Sequence, residues 1–166
     1  MDPNAKKTAL RMIPYGLYVL TAESPAGISA ATVNWVTQAS FAPPLVVVGV
    51  KADSHVHAII KESKAFALNV LGKDQGATAF TFFKPAVREG QTVSGEPFRW
   101  GTTGAPVLER APAFIECRLV ESVERGDHSI FVGEVVEAGL AKAPEGRADD
   151  ATLWLKDLGA NIFYGG

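Results

Sequence analysis

Two long alternating segments, Ala113-Phe114-Ile115-Glu116-Cys117-Arg118-Leu119-Val120-Glu121-Ser122-Val123-Glu124 and Ser129-Ile130-Phe131-Val132-Gly133-Glu134-Val135-Val136-Glu137-Ala138-Gly139, flank the short link Arg125-Gly126-Asp127-His128. Apolar and polar side chains alternate along both, which is the period of a strand with one covered face. The link contains Gly and Asp, residues that turn the chain. A hairpin, or two adjacent strands of a barrel, is expected here. Further back, Leu45-Val46-Val47-Val48-Gly49-Val50-Lys51 is apolar on both faces and reads as a strand covered on both. Phe41-Ala42-Pro43-Pro44 leads into it by an extended approach. Leu17 to Thr21 and Ala65 to Leu71 read as two more strands, and Glu23-Ser24-Pro25-Ala26-Gly27 as a turn. The return arm from that turn, Ile28 to Trp35, carries small and polar residues in place of core bulk. Its backbone is therefore open to close approach.

Helices are short in this reading. Asp2 caps a first one that Pro3 starts and that stops before Pro14. Asp53 or Ser54 caps a second through His57, Ile59 and Ile60, and Asp74 to Phe83 forms a third. Lys84 to Gly104 has several Gly and Pro and little periodicity, and reads as a long excursion with a functional role. Ala141 to Asp150 is a polar connector, followed by a last short element to Leu158. Strands dominate and short helices separate them, so the expected fold is mainly β: one domain over residues 1–166, a closed or partly closed barrel with decorating helices.

With 47% apolar and 20% charged residues the chain has ample material for one packed core. A net charge of −2 supplies no footprint for nucleic acid or anionic lipid. The single cysteine, Cys117, has no disulfide partner and sits in an alternating strand, where a small buried hydrophobe is the expected role. Residues 1–7 have no apolar signal-peptide core, and no apolar run reaches the roughly 20 residues of a membrane span, so a cytoplasmic location is expected. Neither dinucleotide-fold glycines, a P-loop, a nucleophile elbow, a zinc-protease helix nor a CxxC pair occurs. His55 and His57 lie two apart, which on a helix turns them to different faces, so no metal site is expected.

Several segments in one order resemble the flavin reductase-like family with its FMN-binding split barrel, and the resemblance covers nearly the whole chain. They are Ala31-Thr32-Val33-Asn34-Trp35-Val36-Thr37-Gln38-Ala39-Ser40 followed by Pro43-Pro44-Leu45, then Lys51 with Ser54-His55, and then Phe66-Ala67-Leu68-Asn69-Val70-Leu71. Gly104-Ala105-Pro106-Val107-Leu108, Ile115-Glu116-Cys117-Arg118 and Gly126-Asp127-His128-Ser129-Ile130-Phe131-Val132-Gly133-Glu134-Val135 complete the set. The first departs from a common family form, which has Ser or Ala at Asn34 and a Ser-rich run from Trp35 to Gln38. Flavoredoxin-like electron carriers share the same look.

The resemblance implies a split β-barrel of Greek-key type, FMN or FAD as cofactor, NADH or NADPH as co-substrate, and a homodimer serving a monooxygenase or redox-protein acceptor. Hydride would pass from the nicotinamide nucleotide to the flavin. A flavin- or tetrapyrrole-binding carrier on the same barrel, without NAD(P)H oxidation, is the alternative. The flavin ring would lie against Ala31, Thr32, Val33, Asn34, Trp35, Thr37, Gln38, Ala39 and Ser40, with Thr32, Asn34 and Thr37 able to add side-chain donors. Strand alternation alone would equally let those polar residues face water. Lys51 with Ser54 and His55 offers a cation and a helix start to a phosphate, or simply a capped helix beside a solvated lysine. His128 would meet the nicotinamide side, or serve only its turn. Phe82, Phe83 and Lys84 would edge the ring or cover the site, although helical aromatics usually belong to a core. Arg88 and Arg99 would meet nucleotide phosphates or stay at the surface.

Overall fold

Asp2 starts the first helix, α1 (Pro3–Arg11), in the computed structural model, which describes residues 1–166; its side chain accepts the Asn4 N–H at 3.0 Å. No residue of α1 is buried. β1 (Tyr18–Ser24) and β2 (Gly27–Val33) make a hairpin with a tighter turn than expected: Glu23 and Ser24 pair as strand, and only Pro25 and Ala26 are left between. Gly27, at φ +126°, makes that economy possible. β3 (Val36–Phe41) and β4 (Pro44–Lys51) form a second hairpin. The approach expected at Phe41 to Pro44 is its turn.

Ser54 caps α2 (His55–Ser63), and Lys64 in the left-handed region ends it. β5 (Ala65–Val70) follows, then α3, which shrinks from the expected ten residues to Gly76–Thr81. The stretch expected to be an unpatterned excursion contains β6 (Arg88–Glu89), β7 (Thr92–Val93) and β8 (Glu96–Trp100). With β9 (Pro106–Leu108) these form a small antiparallel sheet. Strands this short show no periodicity, yet the turns between them, where Gly90, Ser94 and Gly95 have positive φ, let the sheet bury Val93 and Phe98. β10 (Ala113–Glu124) and β11 (His128–Leu140) are the long hairpin, and His128 belongs to the strand, not to the turn. Two single-turn helices, Ala148–Ala151 and Leu155–Leu158, come after it.

The main sheet is antiparallel in the order β2-β1-β5-β10-β11-β4-β3. Its two edges, β2 and β3, are consecutive in the chain but not hydrogen-bonded to each other, and Asn34-Trp35 joins them across the split. Leu20 of β1 and Val46, Val48 and Val50 of β4 come from nearly opposite ends of that order. They nevertheless share one core with Phe66, Cys117, Phe131 and the α2 residues Val56, Ile59 and Ile60. The sheet must therefore curl round on itself. A second core, with Leu17, Val19, Leu71, Phe82, Phe98 and Leu153, joins the barrel to the small sheet and the last elements. β4 is covered on one face only: Val46, Val48 and Val50 are buried, whereas Leu45, Val47 and Gly49 are half-exposed. That corrects the expectation of two covered faces, since within one chain nothing packs fully on the second.

Candidate functional site

A cavity of about 390 Å³ lies beside the split, within the size range of ligand sites. Ala31, Thr32 and Val33 from the end of β2, with Asn34, form one wall. Gly49, Val50 and Lys51 of β4 form another and lead into Ser54 and Val56 at the start of α2. Leu17, Phe82, Phe83 and Leu155 add apolar lining, and Ile162, Phe163 and Tyr164 complete it. A larger hollow of about 1010 Å³ lies elsewhere, between Tyr18, Val70 and the 140–152 connection, and none of the residues expected to bind cofactor or nucleotide lines it.

Local chemistry explains how each group arrives. Pairing of β11 with β4 sets His128 opposite Lys51, and Ala52 N–H donates to Asp127 O at 2.9 Å, which fixes the hairpin's tip against the start of α2. Ser54 Oγ accepts the His57 N–H at 3.3 Å and donates to Lys51 O at 2.7 Å, tying the cap to the lysine's backbone. A helix start keeps further unpaired N–H groups in its first turn, and with them a partial positive charge. Lys51 Nζ lies 3.0 Å from Asp53; this hydrogen bond and its charge hold the ammonium above its usual range, so it stays a cation.

His128 is held on both ring nitrogens. Nδ1 lies 2.9 Å from Asp127 Oδ1 and Nε2 lies 2.8 Å from the Tyr164 hydroxyl. The hydrogen bond from His128 keeps the Asp127 carboxyl below the ordinary carboxylate range, while burial raises the Tyr164 phenol. Trp35 packs 4.6 Å from the His128 ring, and it fits because position 49 is glycine: a Cβ there would stand 3.1 Å from the indole.

Of the residues expected at the site, Ala31, Thr32, Val33, Asn34, Lys51, Ser54, Phe83 and His128 are brought together around the cavity. Trp35 stands behind His128 and Tyr164, its indole Nε1 buried without a partner. Thr37, Gln38, Ala39 and Ser40 lie on the edge strand β3, outside the cavity, as do His55 on α2 and the exposed Lys84. The physical reason is the break at Asn34-Trp35, which sends the two halves of the 31–40 segment to opposite edges of the sheet. Two expected donors are used within the chain: Thr32 Oγ1 donates to Ala79 O at 2.8 Å and Asn34 Nδ2 to Tyr164 O at 3.2 Å. Arg88 pairs with Glu23, and Arg99 lies over the Phe114 ring, so neither joins the cavity. Sequence reasoning missed Ile162, Phe163 and Tyr164; an aromatic pair just before two glycines was their only signal.

This donor set fits a flavin mononucleotide. Apolar walls suit a flat tricyclic ring, and a lysine beside a helix start suits its phosphate. β2 is an edge strand, so part of its backbone stays open beside the ring position; one amide there, Thr32 N–H, is taken by Phe82 O.

The family model of the flavin reductase like domain matches residues 10–157. The chain belongs to that family. It is 33% identical over 132 residues to an FMN reductase (NADH) from Agrobacterium fabrum, covering 80% of this chain and 74% of that protein. It is 36% identical over 123 residues to the reductase component of the 4-nitrophenol 4-monooxygenase/4-nitrocatechol 2-monooxygenase of Rhodococcus opacus, covering 74% of this chain and 64% of that relative's length. Among solved structures, the styrene monooxygenase flavin reductase of Pseudomonas putida S12 superposes with a TM-score of 0.71 at 28% identity, over 84% of this chain and 88% of that one.

Proposed function

We propose that the protein is an NAD(P)H:flavin oxidoreductase that holds FMN, or FAD, in the 390 Å³ cavity and is reduced there by NADH or NADPH. The observation that carries this reading is the joining, in one cavity of a flavin reductase-like barrel, of apolar walls, a cationic helix start and a histidine fixed on both nitrogens. Bound flavin supplies the hydride-accepting centre, and the nicotinamide supplies the hydride. The chain's own task is placement. Lys51 and the first turn of α2 hold the phosphate; Val33, Val50 and Phe82 exclude water from the ring; His128 orients the nucleotide at the open side.

Reduced flavin, or its electrons, then goes to a partner, a reading supported by the name of the Rhodococcus opacus relative as a monooxygenase reductase component. A homodimer is part of the proposal, supported by the half-exposed face of β4 and by Phe41, 91% exposed at the β3–β4 turn. So is a cytoplasmic location, supported by the free, buried Cys117 and by the lack of any helix long and apolar enough to cross a membrane. The test is NAD(P)H oxidation by purified protein with and without added FMN. Flavin-dependent oxidation is expected. Protein that binds FMN without oxidising NAD(P)H would favour the carrier alternative, and protein that does neither would sink the oxidoreductase reading.

A further inference from the structure

Tyr164 meets His128 with a well-formed hydrogen bond, yet it belongs to a segment, residues 159–166, that has no regular secondary structure. That segment is anchored independently of the histidine. Buried Asn34 donates its Nδ2–H to Tyr164 O at 3.2 Å, Arg11 Nε donates to Gly165 O at 3.2 Å, and the Arg11 guanidinium lies 4.2 Å from the centre of the Phe163 ring. The Trp35 ring backs both side chains, 4.6 Å from His128 and 5.4 Å from Tyr164, in the space that Gly49 leaves. Removing the phenolic oxygen alone would therefore leave the ring where it is.

The proton order along this chain follows from its ends. An ionised Asp127 carboxylate can only accept, so His128 carries its hydrogen on Nδ1. In the neutral imidazole Nε2 is then an acceptor, and the Tyr164 O–H must donate to it. With its proton committed, the phenolic oxygen keeps free lone pairs on the cavity wall. Such an acceptor suits an amide N–H of a ligand, and the carboxamide of a nicotinamide is an amide of that kind.

We propose that Tyr164 is a positioning residue for the nicotinamide end of the site, completing an Asp127–His128–Tyr164 hydrogen-bond chain that fixes the imidazole and presents the phenolic oxygen to the carboxamide. This role rests on the flavin oxidoreductase reading above. It gives the 159–166 segment a function in the recognition of the reductant.

Tyr164→Phe, His128→Ala and the double variant test it against wild type, in two measurements. Long-range ¹H–¹⁵N spectra of the ligand-free protein are expected to show His128 as the Nδ1–H tautomer with Nε2 hydrogen-bonded, and Tyr164→Phe to move the Nε2 signal toward that of an unbonded imine. At saturating FMN, Tyr164→Phe is expected to raise the KM for NAD(P)H about tenfold while kcat and FMN affinity stay within about twofold, and the double variant to resemble His128→Ala. An unmoved Nε2 signal would overturn the inference. So would an unchanged KM, or losses that multiply in the double variant. Wild type that neither binds FMN nor oxidises NAD(P)H would bring down the flavin reading itself, whereas a wild type active on both with an indifferent Tyr164→Phe overturns only the role of Tyr164.

Discussion

His128 reaches the cavity because it is the first residue of β11 and pairs with Lys51; a shift of one place would turn its side chain to the other face of the sheet. The expected consequence of His128→Ala is a higher KM for NAD(P)H with flavin affinity spared, read by steady-state kinetics and by FMN titration. Equal loss of both would place His128 in flavin binding instead. Cys117 makes an opposite prediction. Burial pushes its thiol up to about 12, and it is fully enclosed, so a thiol reagent is expected to label it only after denaturation. Rapid labelling of the native protein would contradict the barrel packing. At this scale the sequence showed residue types well and partners poorly. Thr32 and Asn34 were legible as polar residues on a strand, but their use on Ala79 O and Tyr164 O depends on contacts 47 and 130 residues away, which no local pattern encodes.

Among the elements, the extents of β10 and β11 are legible from their alternating side chains, but the burial of the adjacent Glu116 and Cys117 is not, because the β10–β11 register shifts between them. β4 is legible as a strand but not in its exposure, since the unbroken apolar run Leu45 to Val50 looks the same whether or not a second layer covers it. β3 is not legible as a strand: with Thr37, Gln38 and Ala39 all exposed it offers no apolar face to recognise. The close approach of strands has a sharper test at Gly133. A Cβ there would stand 2.5 Å from Phe66 Cζ and 2.7 Å from Cys117 Cβ, both fully buried. Gly133→Ala is expected to destabilise the fold by about 1–3 kcal/mol, the usual cost of overpacking, measured by denaturant unfolding. A variant as stable as wild type would mean that the β10–β11–β5 packing is looser than described.

For the whole molecule, fold and cofactor class were legible because several ordered segments agree, whereas the closure of the cavity was not, because it joins residues 31–34, 49–56, 128 and 162–164 across the chain. Stability should also carry the mark of one enclosed group. His57 is nearly buried, with Nε2 2.8 Å from Ser129 Oγ, and that burial lowers its pKa against the opposing pull of Glu124. The unfolded chain therefore binds the His57 proton at higher pH than the folded one does. Stability is expected to fall as pH drops below about 6.5, the unperturbed histidine value, toward the lower folded value. Thermal unfolding across that window should show the slope in wild type and a flatter one in His57→Gln; identical slopes would reject the assignment. A parallel titration of FMN and riboflavin into wild type and Lys51→Ala tests whether this cavity holds a flavin by both its ring and its phosphate. Lys51→Ala is expected to weaken FMN by about tenfold or more, the scale of one lost hydrogen bond to a charged group, and to leave riboflavin nearly unchanged. Equal weakening of both ligands, or of neither, would contradict it.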